Sequence, residues 1–179
     1  MVMLSELLRF DVVDAAGGTA RFVDLGIGLL DDDYPPVTDI YFDAGDGLKR
    51  LPWSEVAEFD KPGKGFTVRD LEVGKPADEM EPKGEVLLRR DVLDALIVDL
   101  LSRRTTRSSD LQLASDGDKL ILKAVDAGLK AMLRRISRGL YRGARRSDLY
   151  DWKYVEFLRG NPQAVDSGAG YHMRIGRLP

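Results

Sequence analysis

Cysteine is absent from this 179-residue chain. Its absence excludes disulfides, thiolate metal sites and cysteine nucleophiles. Histidine occurs once, at His172 in the tail. A Ser-His-Asp triad would have to use that residue, and no G-x-S-x-G motif accompanies it. The apolar runs are only a few residues long, too short to cross a bilayer. The opening, MVMLSELLRF, lacks the basic region and apolar core of a signal peptide. Gly17-Gly18 and Gly63-Lys64-Gly65 lack the Lys-Ser/Thr of a phosphate-binding loop and read as turns. These absences leave little room for an enzyme, and no catalytic residue and no cofactor are expected.

The chain does hold a repeat. LLRFDVVDA (7–15) and LLRRDVLDA (87–95) agree at seven of nine positions. Such agreement predicts two copies of one unit about 80 residues long. Further echoes follow in the same order. Asp24-Leu25-Gly26-Ile27 matches Asp110-Leu111-Gln112-Leu113, and Asp43-Ala44-Gly45 matches Asp126-Ala127-Gly128. Trp53-Ser54-Glu55-Val56 matches Trp152-Lys153-Tyr154-Val155. An offset that varies from echo to echo fits common strands joined by unequal loops.

Charge divides the copies. Residues 1–80 carry 8 Lys/Arg and 17 Asp/Glu; residues 81–179 carry 19 and 13. An acidic half and a basic half either dock on each other or meet different partners.

The local pattern is mainly β. Gly17-Gly18 between extended runs reads as a hairpin turn. Val23, Leu25, Ile27 and Leu29 alternate with Phe22, Asp24, Gly26 and Gly28, the period of a half-buried strand. Val37–Phe42, Leu48–Trp53 and Phe66–Val73 read as further strands, and Ser54–Phe59 as a short helical turn. Residues 74–84 are poor in apolar side chains and read as the linker. In the second copy Leu96–Leu101, Thr105–Ala114 and Lys119–Val125 are strands, the last two joined by Ser115-Asp116-Gly117-Asp118. The pattern predicts a mainly-β fold of two small β-barrels in tandem with short helices, at 1–80 (acidic) and 85–160 (basic), and a tail at 161–179 leading to a following domain. Between Leu129 and Leu140 the apolar positions share one side of a helix, with basic residues opposite. Lys130, Arg134, Arg135, Arg138, Arg142, Arg145 and Arg146 are thereby expected to form an interaction surface.

These residues resemble the PRC-barrel family. D-V-V-D-A-A-G-G with F-V-D-L, Y-P-P-V-T-D-I and L-P-W-S-E-V is similar to its pattern. The second copy, with D-V-L-D-A-L-I-V-D-L, S-S-D-L-Q-L and Y-D-W-K-Y-V-E-F-L, resembles the version that precedes the N-terminal domain of MgtE-like, magnesium transporter-related proteins. The tail H-M-R-I-G-R-L-P looks like the entry to that helical domain. The resemblance implies a non-enzymatic regulatory or docking module, in the cytoplasm or at the inner face of the membrane. Its implied partners are the following domains of the same protein and an anionic membrane surface; a homo-oligomer is compatible with it. The alternative it implies is an RNA- or ribosome-associated binding module.

Three further features have chemistry of their own. Asp31, Asp32 and Asp33 offer oxygen ligands to Mg²⁺ or Ca²⁺, but neighbours in an extended chain point opposite ways, so a solvated loop is the competing reading. The recurring pairs Asp11/Asp14 and Asp91/Asp94 are expected to bond turn amides. Trp53 and Trp152, at matching places in an acidic and a basic copy, are expected in the core rather than on a base-stacking surface.

Overall fold

The computed structural model describes residues 1–28, 33–59, 65–77, 85–128 and 149–157. The fold is mainly β, as the alternating pattern requires. Strand β1 (Val2–Met3) runs into the short helix α1 (Leu4–Leu7). Strands β2 (Asp11–Asp14) and β3 (Thr19–Gly28) form a hairpin, turned by Gly17 at a φ of 90°. β4 (Val37–Asp43) and β5 (Leu48–Pro52) follow, and a 3-10 turn, Trp53–Glu55, leads into β6 (Val56–Glu58). β7 is Phe66–Val68 and β8 is Lys75–Pro76.

The second half opens with β9 (Glu85–Leu87) and one wide helical turn, Leu88–Val92, closed by the Leu93 N–H on the Leu88 carbonyl. β10 (Leu96–Asp99), β11 (Arg104–Arg107), β12 (Asp110–Asp116) and β13 (Lys119–Asp126) come next. β14 (Leu149–Asp151), a second 3-10 turn (Trp152–Tyr154) and β15 (Val155–Phe157) close the described chain.

The ladders form three sheets. One runs β6-β7-β2-β3-β4-β5-β8, with β9 also on β3; the others are β1-β12-β13-β14 and β11-β10-β15. Among the described residues no ladder closes any of them into a barrel. The segment read as a linker supplies edge strand β8, whose Lys75 and Pro76 pair with Arg50 and Lys49 of β5. The helical turn expected over Ser54–Phe59 is shorter than expected: after Glu55 the chain becomes β6, because β7 offers it a partner.

The duplication is visible in the pairing itself. Gly26 faces Asp39 and Ile27 faces Val37, with Thr38 bulged between them. Gln112 faces Ala124 and Leu113 faces Leu122, with Lys123 bulged in the same place. Asp39 then pairs Pro52 as Ala124 pairs Asp151, which makes Trp53 and Trp152 equivalent. The first half differs by an insertion. β15 lies directly on β10, whereas β7 intervenes between β6 and β2.

The strongest sequence match is nonetheless out of register. Val12 pairs with Ala20 on the hairpin, and the residue in that place in the second half is Ile97, opposite Thr106. Val12 therefore corresponds to Ile97, not to Val92. LLRFDVVDA and LLRRDVLDA slide past each other by five residues in space. The echo of Asp43-Ala44-Gly45 in Asp126-Ala127-Gly128 is displaced as well, since Asp126 occupies the ladder place of Tyr41. Asp14 accepts the Ala16 and Gly18 N–H groups at its hairpin tip. Its counterpart is Asp99, which accepts from Leu101 and Ser102, and not Asp94. The structural role expected of these aspartates holds for Asp14 and for Asp91, which accepts the Leu87 N–H, while the pairing of copies is corrected.

One continuous core joins residues of both halves, from Leu4 through Phe22, Ile40 and Phe66 to Leu111, Leu122 and Trp152. Phe22 takes the core place expected for Val23, which is half-buried, because β3 bulges between Phe22 and Asp24. Leu25, Ile27, Leu111 and Leu113 are fully buried as expected.

Candidate functional site

The two halves exchange their opening strands. β1 pairs with β12 of the second half, Val2 on Leu113 and Met3 on Gln112. β9 pairs with β3 of the first half, Val86 on Ile27 and Leu87 on Gly26. Since Ile27 corresponds to Leu113, Val2 corresponds to Val86, and the two exchanges are the same contact made twice. The segments Val2–Leu7 and Glu85–Val92 thus lie against the half to which they do not belong in sequence.

An aspartate locks each exchange. Asp110 accepts the Ser5 N–H at 3.1 Å, the Ser5 hydroxyl at 2.5 Å and its neighbour's Leu111 N–H at 2.9 Å. Asp24 accepts the Arg89 N–H at 2.7 Å, the Arg90 N–H at 3.0 Å and its neighbour's Leu25 N–H at 2.8 Å. In both cases the carboxylate holds amides at the start of a helical turn that have no partner within the turn. A second carboxylate completes each turn start. Glu6 accepts the Met3 N–H, and Asp91 accepts the Leu87 N–H. The second turn holds one more residue than α1, so its Leu93 bonds back five positions where Leu8 bonds back four. That extra residue shifts the correspondence by one from here onward. Burial pushes the Asp24 carboxyl up to about 6 against the pull of its three amide donors.

The first half adds a buried polar cluster at its exchanged strand. Glu85 of β9 accepts from the Tyr41 hydroxyl at 2.6 Å and the Thr38 hydroxyl at 2.9 Å. It is also hydrogen-bonded to Asp39, whose carboxylate meets Arg50 at 3.4 Å. A hydrogen bond between two carboxyl groups needs a proton on one of them. Burial first, and the neighbouring Asp39 charge next among the raising influences, hold the Glu85 carboxyl above the usual carboxylate range. Burial and Glu85 together raise the Tyr41 phenol. Gly26 makes room for the acid: a Cβ there would lie 2.0 Å from Glu85 Oε1.

The residues singled out from sequence fall mostly elsewhere. Lys130, Arg134, Arg135, Arg138, Arg142, Arg145, Arg146 and His172 lie outside the described residues, as do Asp31 and Asp32. Asp33 is exposed. Among the described residues no three His, Cys, Asp or Glu side chains gather as a metal site would need, and no helix is long and apolar enough to cross a membrane. Trp152 is buried, 5.9 Å from Phe157 between ring centroids. Trp53 is half-buried on Phe59 and Phe66, and its indole N–H reaches the Asp118 carbonyl of the other half at 3.0 Å. Sequence reasoning missed Glu85, Tyr41 and Asp39. The one available signal was a glutamate opening an otherwise apolar strand, Glu85-Val86-Leu87-Leu88.

Fold and site define a mainly-β protein of two duplicated halves bound through their opening strands. No family model, curated protein or solved structure matches the chain.

Proposed function

We propose that this chain is a non-enzymatic docking or regulatory module, made of two PRC-type barrels from a MgtE-like, magnesium transporter-related protein. In this reading each 3-10 turn carries a strand round the corner of a small barrel: β5 passes into β6 at Trp53, and β14 into β15 at Trp152. The observation that supports docking is the reciprocal exchange. It fixes the two halves in one body, a property that a platform for other domains uses and that a single-site enzyme does not need. The shared geometry of Asp24 and Asp110 is directed at backbone amides of the exchanged turns, which gives these buried carboxylates a structural task.

The test is calorimetric titration of the whole chain with a separately produced helical domain of the MgtE type, and with single-stranded RNA in parallel. Saturable binding of the helical domain, little altered by salt, is the expected result. RNA binding that weakens steeply with salt, as counterion release requires, without binding of the helical domain, would overturn this reading.

A further inference from the structure

The polar cluster around Glu85 has no counterpart in the second half. By the ladder correspondence Asp39 is replaced by Ala124, Thr38 by Lys123, Tyr41 by Asp126 and Arg50 by Leu149. The place of Glu85 falls on Met1, which is largely exposed. Yet β1 seats on β12 as β9 seats on β3. The exchange therefore does not depend on the cluster. A second acid buried beside Asp39 is unfavourable for folding on its own account, since desolvation and like charge both oppose it.

We propose that the first half carries a proton-dependent latch, in which Glu85 holds β9 on β3 firmly as a neutral acid hydrogen-bonded to Asp39 and loosely once it is a carboxylate. The neutral acid shares its proton with Asp39 and accepts from Tyr41 and Thr38. Loss of the proton places two carboxylates together in a buried site. Arg50 of β5 already meets Asp39 at 3.4 Å. On β3 Glu85 pairs with Gly28 and its side chain lies over Gly26, neither of which carries charge. On the segment of Glu85 itself, Asp91 is occupied by the Leu87 N–H and by Arg90, and Arg89 and Arg90 present their amides to Asp24. Opening would bare the β3 edge at Gly26–Gly28 and the apolar contact of Tyr41, Ala77 and Leu87. This goes beyond the docking reading, because it gives one of the two halves a state that responds to its surroundings.

Linkage fixes the sign. The Glu85 pKa is raised in the closed state, so the latch is tightest below the ordinary value of 4.5 and loosens as pH rises through the raised value. Between those limits opening releases one proton, and its equilibrium constant grows about tenfold per pH unit. Amide hydrogen exchange of the full chain, corrected for intrinsic pH-dependent rates, reads this directly. Protection of Val86 and Leu87 should fall steadily as pH rises through the window, while Val2 and Met3 on the other exchanged strand stay level. Glu85→Gln and Asp39→Asn should each flatten the response of β9. Asp24→Asn should keep it, which separates Glu85 from the Asp24 carboxyl that titrates at about 6 and grips the same segment. Equal loss on both exchanged strands, no loss on either, or a response that survives in Glu85→Gln and Asp39→Asn would each overturn the latch.

Discussion

Replacing Asp110 by alanine should destabilise the fold by about 4 kcal/mol, the range of a buried acceptor whose donors are left unsatisfied. Asp110 is fully buried and accepts two backbone N–H groups and the Ser5 hydroxyl. Without it, the Ser5 and Leu111 amides lose this acceptor in a region where Leu4, Leu111 and Leu113 are fully buried. The loss also frees β1, so its amides should lose protection before those of β9. Asp24→Ala makes the matching change in the other half and should cost less, about 2 kcal/mol at neutral pH. Burial has already raised the Asp24 carboxyl to about 6, so part of what its three donors contribute is offset there. Chemical denaturation of both variants at one pH checks the order. A larger loss for Asp24→Ala would mean that the two exchanges are not energetically alike in the way their geometry suggests.

Gly26→Ala should cost about 3 kcal/mol, at the upper end of overpacking in a filled core. The new Cβ would meet Glu85 Oε1 at 2.0 Å and Cδ at 2.6 Å. A flexible glutamate would swing away, but this one is held by Tyr41, Thr38 and Asp39. The conflict therefore falls on the seat of β9. Shortening the acid should relieve it: Gly26→Ala with Glu85→Ser should recover most of the loss, a coupling of about 2 kcal/mol in the double-mutant cycle. Additive losses would show that the space at Gly26 serves something other than Glu85.

Much of the architecture was legible in the residues. Alternation from Val23 to Gly28, the turn at Gly17-Gly18 and the W-x-x-V echoes are local signals, and the strands, the hairpin and the equivalence of Trp53 with Trp152 follow them. Asp24-Leu25 and Asp110-Leu111 match in space as they do in sequence, because both pairs sit on a ladder with the same bulge. The register of the opening segments was not legible. LLRFDVVDA and LLRRDVLDA look alike because each places leucines ahead of an acidic-bracketed apolar pair, a pattern that fits a turn and a strand equally well. The ladder partners decide between them, and those lie in the other half of the chain. The exchange was invisible for the same reason: Val2-Met3 and Val86-Leu87 are short apolar pairs with nothing in them to say which edge they cover. The site around Glu85 needs four segments brought together, Gly26, Thr38–Tyr41, Arg50 and Glu85, and no spacing rule joins them.

The absence of cysteine makes the exchange itself open to direct measurement. In the structure Val2 lies opposite Leu113; had each half kept its own opening strand, Val2 would instead lie opposite Ile27, the equivalent position in its own half. Two double-cysteine variants separate these arrangements: Val2→Cys with Leu113→Cys, and Val2→Cys with Ile27→Cys. Under mild oxidation, followed by cleavage at a protease site placed between Ala77 and Glu85, the first variant should run as two fragments joined by a disulfide, and the second should form none. A disulfide in the second variant, with none in the first, would contradict the exchange on which this account rests.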